Sequence, residues 1–114
     1  MAFKTTEVED SEIVVINLPE KVSAEVADQL KIYIRELVKK NKYKLVMNLS
    51  QTAFMDSSGL GALVSKIAVT RANGGDVRIA QPQEYIVNLL ELTHLDQVMK
   101  TYPTVIEAVR SFRE

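Results

Sequence analysis

The sequence predicts a single α/β domain whose mixed, mostly parallel β-sheet opens with an N-terminal hairpin. Two β-rich runs, residues 3–9 and 12–18, are separated by Asp10 and Ser11, which favour a turn. Short apolar runs then alternate with longer segments of helical spacing, which is typical of parallel strands joined by crossover helices. The 114 residues contain no linker, repeat or low-complexity segment, so they fit one domain with its own core.

The first predicted helix begins after Ser23, a residue type that caps helices. Apolar residues follow it at helical spacing: Val26, Leu30, Ile34, Leu37 and Val38. Lys39, Lys40 and Lys42 come next, where the helix dipole favours cations, so we interpret them as a helix end rather than a nucleic-acid patch. The apolar run at residues 44–49 predicts a strand covered on both faces.

A second predicted helix follows residues 54–61. One side of it carries Leu60, Leu63, Val64, Ile67 and Arg71, of which the four apolar residues are predicted to face inward. Asn73, Gly74 and Gly75 end it, because Gly and Asn accept the left-handed conformation found after helices. The next strand is predicted at residues 77–80.

Pro82 introduces a third predicted helix. That helix carries Ile86, Leu89, Leu90 and Thr93. A brief strand is predicted at residues 98–100, and Pro103 suits the first turn of a last helix. The inward residues of that helix are Val105, Ala108, Val109 and Phe112. The sequence thus predicts about four helices.

Composition excludes several classes of function. The formal net charge is −1 with both signs interspersed, and the four tyrosines form no basic stacking platform, so we expect no nucleic-acid ligand. No apolar stretch approaches the roughly 20 residues of a membrane span. With no cysteine and no secretory leader, we expect a cytoplasmic protein without disulfides or thiolate metal sites.

The most informative segment is residues 54–61, Phe-Met-Asp-Ser-Ser-Gly-Leu-Gly. Asp56, Ser57 and Ser58 are residue types that begin helices, and they precede an apolar helical pattern. Two hydroxyls and a carboxylate therefore lie where backbone N–H groups lack intrahelical partners. Ser57 can be a helix cap, a nucleophile or a phosphate acceptor, because the positive end of the helix dipole favours an added anion.

Catalysis is the weakest of these alternatives. A nucleophile elbow requires glycine two residues before the serine, and Met55 occupies that position. The single histidine, His94, is better explained as a polar residue at a helix end. Gly59-Leu60-Gly61 lacks the remainder of a nucleotide-binding loop, so we interpret glycine here as allowing another molecule to approach the backbone. We expect no enzyme activity, cofactor or metal.

The order of elements, with Asp-Ser-Ser-Gly-Leu-Gly at the start of the second helix, closely resembles the STAS domain, and within it the bacterial anti-sigma-factor antagonists. The resemblance extends from Phe3 to about Phe112. Besides residues 54–61 it includes Asn48-Leu49-Ser50, Asn73-Gly74-Gly75 and residues 92–95.

This resemblance implies that Ser57 is phosphorylated by a partner that is both an anti-sigma factor and a serine kinase of the histidine-kinase-like ATPase type. Asp56 would shape the site, and Ser58 and Gly59 would build the helix start. The unphosphorylated form would bind the kinase and free the sigma factor. A metal-dependent serine phosphatase would reset the cycle.

Two positions depart from the family pattern, and the first of them borders this site. Many relatives have Gly-x-Leu-Asp before the first helix, whereas residues 18–23 here read Leu-Pro-Glu-Lys-Val-Ser. Ser23 stands where aspartate is common and Glu20 near the usual glycine, so partner specificity could differ at this loop. Asn48 occupies a position that is often aspartate, and it keeps the strand end polar.

A strip of small, mostly uncharged residues follows the acceptor serine: Gly61, Ala62, Ser65 and Val69. Such a strip suits partner docking, and it equally suits packing against a neighbouring helix of the same domain. Together with Ser23 it forms the hypothetical partner surface of a domain that we expect to be monomeric when free.

Two functions remain open. The first is a phosphorylation-controlled anti-sigma-factor antagonist. The second is a STAS subunit of a larger assembly, such as a lipid-transport complex or a sensory scaffold, in which the serine is structural.

Overall fold

The computed structural model describes residues 4–7 and 12–113. Its strands are β1 (Lys4–Glu7), β2 (Ile13–Asn17), β3 (Lys21–Val22), β4 (Lys44–Asn48), β5 (Phe54–Met55), β6 (Asp76–Ala80) and β7 (Thr101–Tyr102). Its helices are α1 (Ala24–Lys39), α2 (Ser57–Val64), α3 (Ile67–Ala72), α4 (Glu84–Leu92) and α5 (Val105–Ser111), with a 3-10 turn at Leu95–Gln97. The turn predicted at Asp10 and Ser11, like Phe3 and residues 8–9, lies outside the described residues.

The main sheet has five strands in the order β1-β2-β4-β6-β7. β1 pairs antiparallel with β2, and the other neighbours pair in parallel. This confirms the predicted mixed, mostly parallel sheet. A second sheet of two strands, β3 and β5, was not predicted, and it lies next to the serine segment.

Alternate residues of the central strands face two separate cores. Val14, Ile16, Leu45 and Met47 belong to the large core beneath α1, α2 and α4. Ile13, Val15 and Val46 face the smaller core under α5. Both faces of β2 and β4 are therefore covered, and for β4 this confirms the prediction from the apolar run at residues 44–49.

The second predicted helix is broken, which corrects the sequence reading. α2 ends at Val64 and α3 begins at Ile67, while Lys66 leaves helical geometry with φ −123° and ψ 19°. At the break, the Ser65 hydroxyl donates to the Ala62 carbonyl at 2.9 Å. This side-chain bond competes with the helical pattern and turns the chain.

Arg71 lies at the end of α3 rather than among its apolar contacts. Its Nε donates to the buried Asp76 carboxylate at 2.9 Å, and Arg78 Nε reaches the other oxygen at 3.1 Å. Arg71 also donates to the Val98 carbonyl oxygen. The pair of guanidinium groups compensates the buried carboxylate and joins α3 to β6.

Two further predictions near the C-terminus are wrong in position. The strand expected at residues 98–100 lies at Thr101–Tyr102, because the 3-10 turn extends the preceding connection. Pro103 precedes the last helix rather than occupying its first turn, since Thr104 is the N-cap and its hydroxyl accepts from the Glu107 N–H at 3.1 Å. None of the helices in residues 12–113 is both long and apolar enough to cross a bilayer.

The glycine turn after α3 has two different requirements. Gly74 has φ +83°, the left-handed conformation predicted for the helix end. Gly75 is needed for space, because a Cβ there would overlap the carbonyl group of Tyr43. The close approach allows the Asp76 N–H to donate to the Tyr43 carbonyl at 3.0 Å, where β6 joins β4.

We expect Gly75→Ala to lower the free energy of unfolding by about 3 kcal/mol, because the backbone of Tyr43 cannot yield as a flexible side chain would. Gly61→Ala is the control, since no atom lies within 4 Å of a Cβ at that helical position. It should be neutral or stabilise by up to about 1 kcal/mol. Denaturant unfolding of both variants measures this, and equal midpoints would contradict the steric explanation.

Candidate functional site

Asp56 fixes the first turn of α2. Its backbone is extended, with φ −98° and ψ −174°, and its side-chain oxygen accepts from the Gly59 N–H at 3.1 Å. Its carbonyl accepts the first helical bond, from Leu60 N at 3.1 Å. Asp56 is therefore the N-cap residue, and its carboxylate is already engaged within the domain.

Ser57 is the first residue of α2, and its side chain is exposed. Within the described residues its hydroxyl has no hydrogen-bond partner. The next serine, Ser58, is half-buried. The backbone N–H groups of these two residues lie in the first turn of α2, where no carbonyl of the helix accepts from them. They are directed toward the space in front of the helix start. The more accessible of the two hydroxyls thus belongs to Ser57.

Gly59 is required by the domain's own packing. A Cβ on this residue would lie 2.5 Å from Met55 Cγ and 2.9 Å from the Val22 carbonyl oxygen. The interpretation that glycine here admits another molecule is wrong for Gly59, because its own chain fills that space. It stays possible for Gly61, where a Cβ would meet open space.

The small sheet of β3 and β5 brings the loop at residues 18–23 next to the serine segment. β3 and β5 are parallel, with Lys21 opposite Phe54 and Val22 opposite Met55. The preceding loop is joined to the same segment, because the Glu20 carbonyl accepts from the N–H groups of residues 53 and 54 at 2.9 and 3.0 Å. The atypical loop at residues 18–23 therefore packs directly against the serine segment.

This pairing also brings two helix N-termini together. Ser23 follows β3 and is the N-cap residue of α1, just as Asp56 follows β5 and is the N-cap residue of α2. Since parallel strands end at the same edge, Ser23 lies beside Asp56. Ser23 occupies the predicted cap position, but in the described structure its side chain makes no capping hydrogen bond and is exposed.

The strip of small residues is only partly on the surface. Ala62 is fully buried in the large core, so its assignment to a partner surface is wrong: it faces inward where α1 packs on α2. Ser65 is exposed, and Gly61 and Val69 are half-buried. The accessible strip therefore consists of Gly61, Ser65 and Val69, and it crosses the break between α2 and α3.

The remaining candidates lie apart from this site. His94 is exposed after α4 in a left-handed conformation with φ 61°, and the structure gives it no hydrogen bond to Ser57. Asn48 ends β4, where its amide donates to the Asn17 side-chain oxygen at 2.7 Å. Among residues 4–7 and 12–113, no cluster of three His, Cys, Asp or Glu side chains could hold a metal.

Comparison with known proteins identifies relatives along nearly the whole chain. The family model of the STAS domain matches residues 4–108. A candidate anti-sigma factor antagonist of Thermotoga maritima is 32% identical over 102 residues, which are 88% of this chain and 90% of that protein. The crystal structure of a candidate anti-sigma factor antagonist from the same organism superposes with a TM-score of 0.88 at 28% identity, covering 98% of this chain and 95% of the other.

A more distant protein shares the fold alone. The anti-sigma factor antagonist SpoIIAA in its unphosphorylated form has a TM-score of 0.78 at 22% identity, over 98% of both chains. Its phosphorylated form, described as a Bacillus cell fate determinant, has a TM-score of 0.75 at 23% identity, over 96% of this chain and 98% of that one. The family match and the similarity to the Thermotoga protein confirm the resemblance read from residues 54–61, and the chain belongs to the STAS domain family.

Proposed function

We propose that this protein is an anti-sigma factor antagonist, and that phosphorylation of Ser57 switches off its binding to an anti-sigma factor. The observation that supports this most directly is the exposed, unengaged Ser57 hydroxyl at the start of α2. The relatives named as anti-sigma factor antagonists support the general role. The proposal is a binding function in the cytoplasm, without catalysis.

The partner in this proposal is an anti-sigma factor that is also the serine kinase. Its kinase site must reach the Ser57 hydroxyl, so its bound surface covers the start of α2. Ser23, which neighbours that start in space, precedes it along the chain. The accessible strip follows it and consists of Gly61, Ser65 and Val69. A separate metal-dependent phosphatase would remove the phosphate and restore binding.

Within the domain, the added phosphate meets two opposing effects. It brings about −1.5 to −2 charges at neutral pH. The helix N-terminus attracts it by about 0.3–1 kcal/mol. The adjacent Asp56 carboxylate repels it by about 1 kcal/mol in water-like dielectric. Because these effects nearly cancel, the fold should survive phosphorylation almost unchanged.

At the docked interface nothing compensates the phosphate. The dianion would have to lose water against a surface that fits a neutral hydroxyl, and an unpaired buried charge costs about 3–5 kcal/mol. Because each 1.4 kcal/mol corresponds to about a tenfold change in affinity, we expect phosphorylation to weaken binding at least about a hundredfold. The switch would therefore act on the interface and leave the fold intact.

The first prediction is that the kinase modifies Ser57 and leaves Ser58 unmodified, because Ser57 is exposed and Ser58 half-buried. The protein is incubated with the anti-sigma factor of the source genome and ATP, and the peptide is mapped by mass spectrometry. Ser58→Ala, the matched control, should still gain one phosphate. Phosphate on Ser58 with Ser57 unmodified would overturn the assignment. Absence of any phosphate, with co-purification of transporter subunits, would favour a structural STAS subunit.

The second prediction concerns affinity and stability together. Ser57→Ala should bind the anti-sigma factor constitutively, while Ser57→Asp and the phosphoprotein should bind at least about a hundredfold more weakly. The unphosphorylated wild type and these three forms should melt within a few degrees of each other, because Ser57 makes no contact that the fold needs. Calorimetric titration and thermal unfolding test this. The mechanism is ruled out by equal affinities, or by a melting temperature that collapses on phosphorylation.

The third prediction tests the accessible strip. Ser65→Arg should weaken binding to the anti-sigma factor by about tenfold or more, since a bulky side chain on a strip of small residues prevents a partner from packing closely against it. Asn88→Arg, at an exposed position on α4, is the control and should bind normally. Melting temperatures of both variants are measured alongside. If Ser65→Arg binds as well as the control, the strip lies outside the footprint.

A further inference from the structure

The break between α2 and α3 opens a small groove against α1 that the sequence did not indicate. We define the basic groove as the cleft of about 190 Å³ lined by Lys31, Ile32, Arg35, Ser65 and Lys66. Lys31 and Arg35 are one helical turn apart on α1, and Lys66 lies at the break itself. The groove shares Ser65 with the accessible strip, so it extends that surface toward α1.

The cations of the basic groove are unpaired. In the described part of the chain, the ion pairs join Lys39 to Glu36, and Arg71 and Arg78 to Asp76. Lys31, Arg35 and Lys66 therefore converge on one cleft without a carboxylate partner. The arrangement contrasts with Asp76, where two arginines compensate one buried carboxylate.

An apolar side chain lies among these cations. Ile32 lies in the middle of α1 and is 52% exposed, while the opposite face of that helix is buried. A cleft that combines unpaired cations with an exposed aliphatic side chain fits a polypeptide segment bearing both carboxylates and apolar residues. A nucleic acid fits poorly, since the chain as a whole carries a net charge of −1.

We propose that the basic groove receives an acidic segment of the anti-sigma factor, a second contact that holds the partner beside Ser57. This inference rests on the proposed function and names the chemistry of its partner. Carboxylates of the segment pair with Lys31, Arg35 and Lys66, and an apolar residue covers Ile32. Charges of this kind at the edge of an interface mainly accelerate association and make it dependent on salt.

The test measures the association and dissociation rates of the purified anti-sigma factor and the full chain, with one of the two immobilised on a sensor surface. The rates are measured at about 50 mM and about 300 mM salt. The double variant Lys31→Glu with Arg35→Glu should associate at least about tenfold more slowly at low salt, and the defect should shrink at high salt. The control is Arg110→Glu with Arg113→Glu, which makes the same change of charge in the last turn of α5 and just after it, and the apolar side chains of α5 pack on the other face of the sheet. It should retain most of the association rate.

A third variant, Ile32→Ala, separates apolar contact from charge. It should accelerate dissociation several-fold at both salt concentrations, because lost apolar burial is not screened by ions. Melting temperatures of all variants should match the wild type, since these side chains are at the surface. Binding to duplex DNA and to phosphatidylglycerol vesicles is measured in parallel.

The outcomes separate this inference from the proposed function. If the anti-sigma factor binds wild type and the groove variants behave like the control pair, the groove inference fails and the proposed function stands. If it does not bind wild type at all, the proposed function fails, and the inference fails with it. Groove-dependent binding to DNA or vesicles, without an effect on the anti-sigma factor, would overturn the acidic segment as occupant.

Discussion

The position of the start of α2 depends on a close contact at Gly59, where there is no room for a side chain. Gly59 packs onto Val22 and Met55, one from each strand of the small parallel sheet. Because protein interiors are close-packed and have little compressibility, this contact sets the distance between the helix and the sheet. The position of Ser57 is therefore determined by three residues that have no reactive groups of their own.

The same contact makes a surface-acting switch physically reasonable. The Asp56 carboxylate is held by the Gly59 N–H, so it cannot easily move away from a charge added next to it. The helix start packs on the small sheet, and Leu60 and Leu63 anchor it in the same large core. With the local backbone this constrained, we expect the proposed modification of the exposed hydroxyl to change the surface that a partner contacts and to leave the fold almost unchanged.

The charges of the molecule fall into two groups with different uses. The buried Asp76 and its two arginines connect α3, β6 and the segment before β7, and removing one member would leave an uncompensated buried charge. The cations of the basic groove are solvated and contribute little to stability, so they are free to face another molecule. The break at Ser65 and Lys66 contributes Lys66 to the basic groove, and the residues of the Asp76 group follow it along the chain.

The sequence by itself determined the order of the five main-sheet strands and of the helical segments between them, the buried central strands and the helix start at Asp56, because each depends on local periodicity or on a capping residue. It also placed Ser57 at that start. Only the tertiary structure decided the pairing of β3 with β5, the burial of Ala62 and the break after Val64. Strands of two residues, such as β3 and β5, are too short to show a periodic pattern in the sequence. Which side of a short helix faces inward depends on the element that packs against it, and this decided the burial of Ala62. The requirement for glycine at residue 59 is likewise tertiary, since the atoms that exclude a side chain include those of Val22, 37 positions earlier in the sequence.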